Sequence, residues 1–138
     1  MKFFLKFTGV LFLLLVLNSC GFVERDFLGK WEVYDLELQS EWRGNIVDDD
    51  MRKYYEDITY EFLPEGKMIY THGNLTTEGT WSIDGENLNM HYTFTYSEHG
   101  LFRDEDLKCK ILSCTGGKMA LSLKLNKNET WVLYFQEK

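Results

Sequence analysis

Proline is almost missing from this chain: Pro64 is the only one in 138 residues. A Pro-rich disordered stalk or linker is therefore excluded. Basic residues are also few, 15 Lys and Arg against 22 Asp and Glu, a net charge of −7. A chain this acidic is a poor partner, by charge alone, for nucleic acid or an anionic lipid surface. The three histidines, His72, His91 and His99, form no His-x-His pair, and no Cys-x-x-Cys spacing exists. The acidic run Asp48–Asp50 lacks the alternation of a calcium loop and reads as a solvated cap and turn. No Gly-x-Ser-x-Gly elbow and no glycine-rich phosphate loop is present. No internal repeat or low-complexity tract stands out in the body of the chain. The expectation is a protein that is not an enzyme and carries no metal or cofactor.

What is present starts at the N-terminus. Lys2 and Lys6 precede an apolar run, "VLFLLLVL" (10–17), and the first acid is Glu24. A positive start, a short apolar stretch and small residues at its end make a secretory signal. The run is shorter than the ~20 residues a membrane-spanning helix needs. It ends in "LNSC" (17–20), which resembles the bacterial lipobox. That resemblance implies cleavage before Cys20, so that residues 1–19 are signal peptide and Cys20 carries diacylglyceryl and N-acyl groups. Each buried CH₂ contributes ~0.8 kcal/mol, so several chains anchor stably. The expected partner is thus a membrane, through the lipid on Cys20. Cleavage leaves 119 residues and removes two lysines, giving 13 basic against 22 acidic residues and a charge of −9.

Residues 20–28 read as lipidated cysteine and tether, and 29–138 as one domain. Eight segments alternate as strands do, separated by turn signals: 30–38, 57–63, 67–72, 76–83, 87–96, 106–112, 118–126 and 130–136. The clearest is "NLNMHYTFTY" (87–96), with Leu88, Met90, Tyr92, Phe94 and Tyr96 on one face. In 118–126 the inward set is Met119, Leu121, Leu123 and Leu125. One segment, "DDMRKYYEDI" (49–58), reads as helix, with Asp48 as its cap. The first strand breaks phase between Val33 and Leu36, and a bulge near Tyr34–Asp35 would restore it. The pattern predicts an all-β fold, an eight-stranded antiparallel up-and-down barrel with one short helix in the first long loop. A sandwich is the alternative. Cys109 and Cys114 lie five residues apart on one strand, roughly 16 Å if extended. That exceeds the ~7 Å Cα limit of a disulfide. Both are expected as free thiols on opposite faces.

In such a barrel, alternate loops share an end. "PEG", "DGE" and "TGG" are minimal turns, whereas residues 39–56 and 97–105 make long loops at the other end. Long loops on a tight scaffold usually carry function. "GKW" (29–31) resembles the lipocalin signature, and "EGTWSIDGENLNM" (78–90) strengthens the likeness to lipocalin-like domains of small lipoproteins from Bacteroidota. Gly29, Trp31, Gly79 and Trp81 carry this resemblance, which spans most of 29–136. It implies that Trp31 packs at the closed end and that the protein belongs to the cell envelope. Lipocalins often place an Arg near the last strand, whereas this chain ends "YFQEK".

At the elaborated end the expected inward residues include Tyr60, Tyr70, His72, Phe94, Tyr96, Leu125 and Trp131. Trp42, Tyr54 and Phe102 could fold over the mouth. Such a lining suits a small hydrophobic ligand. An eight-stranded barrel can equally be filled by its own side chains, and then the long loops would dock onto another envelope protein. The residues after Cys20, "GFVERD", hold no dense acidic run of the kind linked to surface export in this group. The periplasmic face of the outer membrane is therefore the expected location, with the cell surface as the alternative.

Overall fold

Alternation in the sequence becomes a closed barrel in the computed structural model, which describes residues 21–40, 47, 49–95 and 102–138, without the side chains of Phe94, Thr95, Phe102 and Arg103. The strands are β1 (Gly29–Ser40), β2 (Ile58–Leu63), β3 (Lys67–His72), β4 (Leu75–Asp84), β5 (Asn87–Thr95), β6 (Phe102–Thr115), β7 (Lys118–Lys124) and β8 (Glu129–Glu137). Each pairs antiparallel with its neighbour in sequence, and β8 closes on β1. Helix α1 (Asp49–Glu56) enters β2 directly, which resolves the overlap between the expected helix and second strand. Every strand pairs with its sequence neighbours, so closure removes most of the sheet edge that would template aggregation.

The core is the inward face of every strand. Trp31, Phe62, Met68, Leu88, Met119, Leu121 and Phe135 are almost wholly enclosed. Outward positions such as Asn89, His91 and Asp106 are polar. Apolar inside and polar outside is the reverse of an outer-membrane barrel. Among the described residues no helix is long and apolar enough to cross a membrane.

Two irregularities set the inward phase. In β1 the register against β8 shifts between Val33 and Asp35, where the phase break predicted a bulge. In β6 a second shift lies between Ile111 and Ser113, and it was not anticipated. It turns Leu112 to solvent and brings Cys114 back against the core. Cys109 and Cys114 are therefore free thiols, as expected, but share the inward side rather than facing opposite ways.

Strand limits also differ from the sequence reading. β6 begins at Phe102, four residues early, and takes up much of the expected loop 97–105. Its acids find outward partners across β5: Asp106 meets His91 Nδ1 at 2.6 Å, and Thr93 donates to Asp104. Those pairs let a polar stretch without apolar alternation hold strand pairing. β7 stops at Lys124, so Leu125, expected inside, lies beyond the strand and is half exposed.

Candidate functional site

The long-loop end of the barrel is incompletely closed by strands. β1 pairs with β2 only through Gly29–Glu32, whereas its pairing with β8 runs on to Ser40. Helix α1 covers the resulting gap. Asp49 and Asp50 in its first turn and Lys53 in its last suit the helix dipole. Contacts of Arg52, Tyr54 and Tyr55 hold it across the mouth. Arg52 donates to the Asp35 carboxylate at 2.7 Å, the Tyr54 ring meets the His72 ring at 4.5 Å, and the Tyr55 ring packs on Trp131 at 5.7 Å. The helix thus bridges β1 and β8 to β3.

Beneath α1 lies a cavity of about 240 Å³ with two unlike walls. One wall is phenolic: Tyr54 and Tyr55 from α1, Tyr60 from β2, Tyr70 from β3 and Tyr92 from β5. The other is aliphatic, with Leu107, Leu121, Leu123 and Leu133 from β6 to β8 and Leu125 at the rim. Met90, Cys109 and Phe135 are among the deeper lining residues. The walls differ because the inward positions of β2, β3 and β5 carry Tyr where those of β6 to β8 carry Leu.

The phenols form one packed system. The Tyr60 and Tyr92 hydroxyls share a hydrogen bond of 3.1 Å. Tyr70 stacks on Tyr92 with centroids 4.6 Å apart, and Tyr54 hydrogen-bonds it. Burial raises all three phenols above their ordinary value of 10. For Tyr92 the hydrogen bond shared with Tyr60 opposes that rise in part. All therefore stay neutral at physiological pH. Burial likewise pushes the Cys109 thiol up to about 12, so it is a weakly reactive wall group and not a nucleophile. One carboxylate joins the lining: Glu105 of β6, half-buried, on the inward side and directly opposite Tyr92 in the strand register.

Of the residues expected at the mouth, Tyr54, Tyr60, Tyr70 and Leu125 line the cavity. His72 and Trp131 do not. They stand behind it as the surfaces on which Tyr54 and Tyr55 rest. Trp42 and Tyr96, and the side chains of Phe94 and Phe102, lie outside the described residues. Tyr55, Tyr92 and Glu105 were not anticipated as site residues. Tyr92 carried a usable signal in its alternation with Leu88 and Met90, whereas Glu105 was masked by its apparent place in a loop. The signature residues sit elsewhere. Trp31 and Trp81 are buried towards the closed end, where Trp31 Nε1 donates to the Phe27 carbonyl and Trp81 Nε1 to that of Leu63.

A wider groove, about 450 Å³, opens on the outer face of β4, β5 and β6. There Thr80, His91 and Asp106 stand in one cross-strand row. The order is that of a hydroxyl–imidazole–carboxylate relay. However, the His91 side chain is 51% exposed and that of Asp106 is 88% exposed. Activating a hydroxyl depends on preorganised dipoles in a water-excluded site, and this row lacks that shelter. Among the described residues no cluster of His, Cys, Asp and Glu could hold a metal ion.

Fold and site together define a closed eight-stranded antiparallel barrel with a two-walled cavity at its helix-covered end. The crystal structure of a DUF4847 family protein from Bacteroides vulgatus is similar to it, with a TM-score of 0.53 at 16% sequence identity. The match covers 81% of this chain and 94% of that one. At that identity the likeness concerns the fold alone. No family model and no curated protein sequence matches the chain.

Proposed function

We propose that this chain is a lipocalin-like lipoprotein, anchored in the cell envelope through Cys20, that binds a small hydrophobic ligand at the helix-covered end of its barrel. The observation that carries the reading is the cavity of about 240 Å³ between the tyrosine and leucine walls. A 150 Å³ apolar cavity admits benzene, so simple scaling gives room for about ten non-hydrogen atoms. That is one ring with a short chain, or two fused rings. A fatty acid or a haem exceeds it. The lining fits this class, since it is mostly apolar with a few convergent hydroxyls.

The test is saturation-transfer NMR with indole, on full-length protein in lipid nanodiscs with empty discs as the blank. Transfer to indole is expected, and Leu123→Trp, which fills the aliphatic wall, should abolish it. Absence of transfer, or transfer that Leu123→Trp leaves intact, would sink the reading. A second reading, an interaction module docking onto another envelope protein, draws on Met51, Tyr54 and Leu125, all exposed at the helix-covered end. Capture of a specific envelope protein that survives Leu123→Trp but is lost without residues 39–56 would favour it.

A further inference from the structure

The outer wall of the barrel is uneven, and we propose that two copies of this chain associate through its β6–β7–β8–β1 face about a twofold axis. The outward positions of β4 and β5 carry only polar side chains. On the opposite wall, each bulge turns a large apolar residue to solvent. Tyr34 is the extra residue of the β1 bulge and Leu112 that of the β6 bulge, 44% and 48% exposed. Bulges commonly re-aim a side chain in this way. Between the two lie Ala120 of β7 and Tyr134 of β8, paired directly. The face therefore has relief. The Tyr34 and Tyr134 rings, with centroids 6.3 Å apart, form a ridge, and Lys118 Nζ fixes the Tyr34 ring from 4.2 Å. The small Ala120 and Ser122 of β7 form a trough beside it, with Leu112 as the far wall. An axis along the strands between β7 and β8 lays each ridge in the other copy's trough, as the side chains of packed sheets interdigitate. Charge obeys the same operator. One outward row runs Lys110, Ser122, Val132, Glu37 across the four strands. The axis sets Lys110 against the partner's Glu37, and Glu37 against the partner's Lys110. Glu37 accepts a hydrogen bond from Tyr134, and a carboxylate has lone pairs for a second donor. The barrel curves away at β6 and β1, and the long lysine stem spans the wider gap. An unrelated partner needs no such left–right opposition of bulk and charge, whereas a second copy does. The same axis keeps both closed ends on one side, as two copies anchored in one bilayer through Cys20 require.

Four strands ~4.8 Å apart make a face at the small end of specific interfaces, so the dimer is expected to be weak, with a Kd of about 10–100 µM. Sedimentation equilibrium of the full-length chain in density-matched detergent is the experiment. The parent should follow a monomer–dimer equilibrium. Ala120→Arg, which fills the trough with a charged side chain, should stay monomeric. Lys110→Glu and Glu37→Lys should each weaken association about tenfold, since each sets like charges together at two symmetry-related contacts. An equimolar mixture of those two chains should regain the parent's association, because a mixed dimer pairs opposite charges at both contacts. Misfolding cannot produce that recovery. Leu112→Ala only shortens an exposed side chain, and should weaken the dimer several-fold without touching a charge. A parent that stays monomeric to about 100 µM, a dimer indifferent to Ala120→Arg or to Leu112→Ala, or a mixture no stronger than its two components would each overturn the proposal. None of these outcomes bears on the cavity, whose test is separate.

Discussion

At Gly79 a Cβ would come within 2.3 Å of the His91 carbonyl oxygen and 2.8 Å of the Tyr92 Cβ. Both obstacles belong to the facing strand, and the nearer is backbone, so a side-chain rotation cannot relieve the clash. β4 and β5 approach here more closely than any residue with a side chain allows. That approach sets Tyr92, directly opposite, at the depth where its hydroxyl reaches Tyr60. Gly79→Ala is therefore expected to cost about 2–3 kcal/mol, as overpacking of a tight site does. The melting temperature should fall by roughly 10 °C, checked by thermal unfolding followed by circular dichroism. A drop under 2 °C would mean that β4 relaxes freely. Gly79 was legible from the sequence as part of "EGTW", but its reason was not, because the clash involves a residue twelve positions away. Tyr60 and Tyr70 were legible from alternation alone. Glu105 was not, since one carboxylate among "RDED" has no period to mark it.

Helix α1 shows how a loop element is fixed without a core of its own. None of its residues is buried, and it rests on side-chain contacts of Arg52, Tyr54 and Tyr55. Arg52 and Asp35 are both well exposed, so their pair contributes at most ~1 kcal/mol. The Arg52 hydrogen bond holds the Asp35 carboxyl below its ordinary value of 3.8, slightly opposed by burial. A depressed carboxylate contributes above its ordinary pKa and loses that contribution as pH falls through the lowered value. The contact is thus intact throughout the neutral range. Arg52→Ala should leave the melting temperature within a few degrees of the parent. The α1 amides should exchange with deuterium about two- to fivefold faster, as loss of ~0.4–1 kcal/mol predicts. Unchanged exchange would assign the helix to its tyrosine contacts alone. The helix itself was readable from "DDMRKYYEDI", though not what it covers. The β1 bulge was readable because apolar positions on both sides disagree in phase. The β6 bulge was hidden because Leu112 and Ile111 are both apolar and either could be the inward one.

The barrel as a whole was legible because eight period-2 segments with minimal turns at every second connection admit few other closures. The N-terminal segment was less so. Residues 22–28, part of the stretch 20–28 read as lipidated cysteine and tether, pack onto the closed end. Phe27 is fully buried, its ring 6.2 Å from Phe22 and 6.5 Å from Trp81, and its carbonyl accepts from Trp31 Nε1 at 2.8 Å. Gly21 lies beside the Gly85 turn between β4 and β5. If Cys20 is acylated as proposed, the anchor joins the chain just before Gly21, which leaves a short link between lipid and barrel floor. A strand of nine residues rises ~30 Å, or ~23 Å when tilted as in a barrel. The helix-covered mouth should therefore face away from the bilayer by about that distance. Fluorophores on Glu86→Cys, in a closed-end turn, and Lys127→Cys, in the β7–β8 turn at the mouth, can measure this in vesicles containing nitroxide-labelled lipid. Selective labelling at pH 7 is expected, because burial raises Cys114 to about 11 and Cys109 to about 12, leaving both almost wholly protonated. The Glu86→Cys label should be strongly quenched and the Lys127→Cys label nearly unaffected, with both differences lost in a Cys20→Ser chain that leaves the membrane fraction. Stronger quenching at Lys127→Cys would place the mouth against the lipid and direct the search for the ligand into the bilayer.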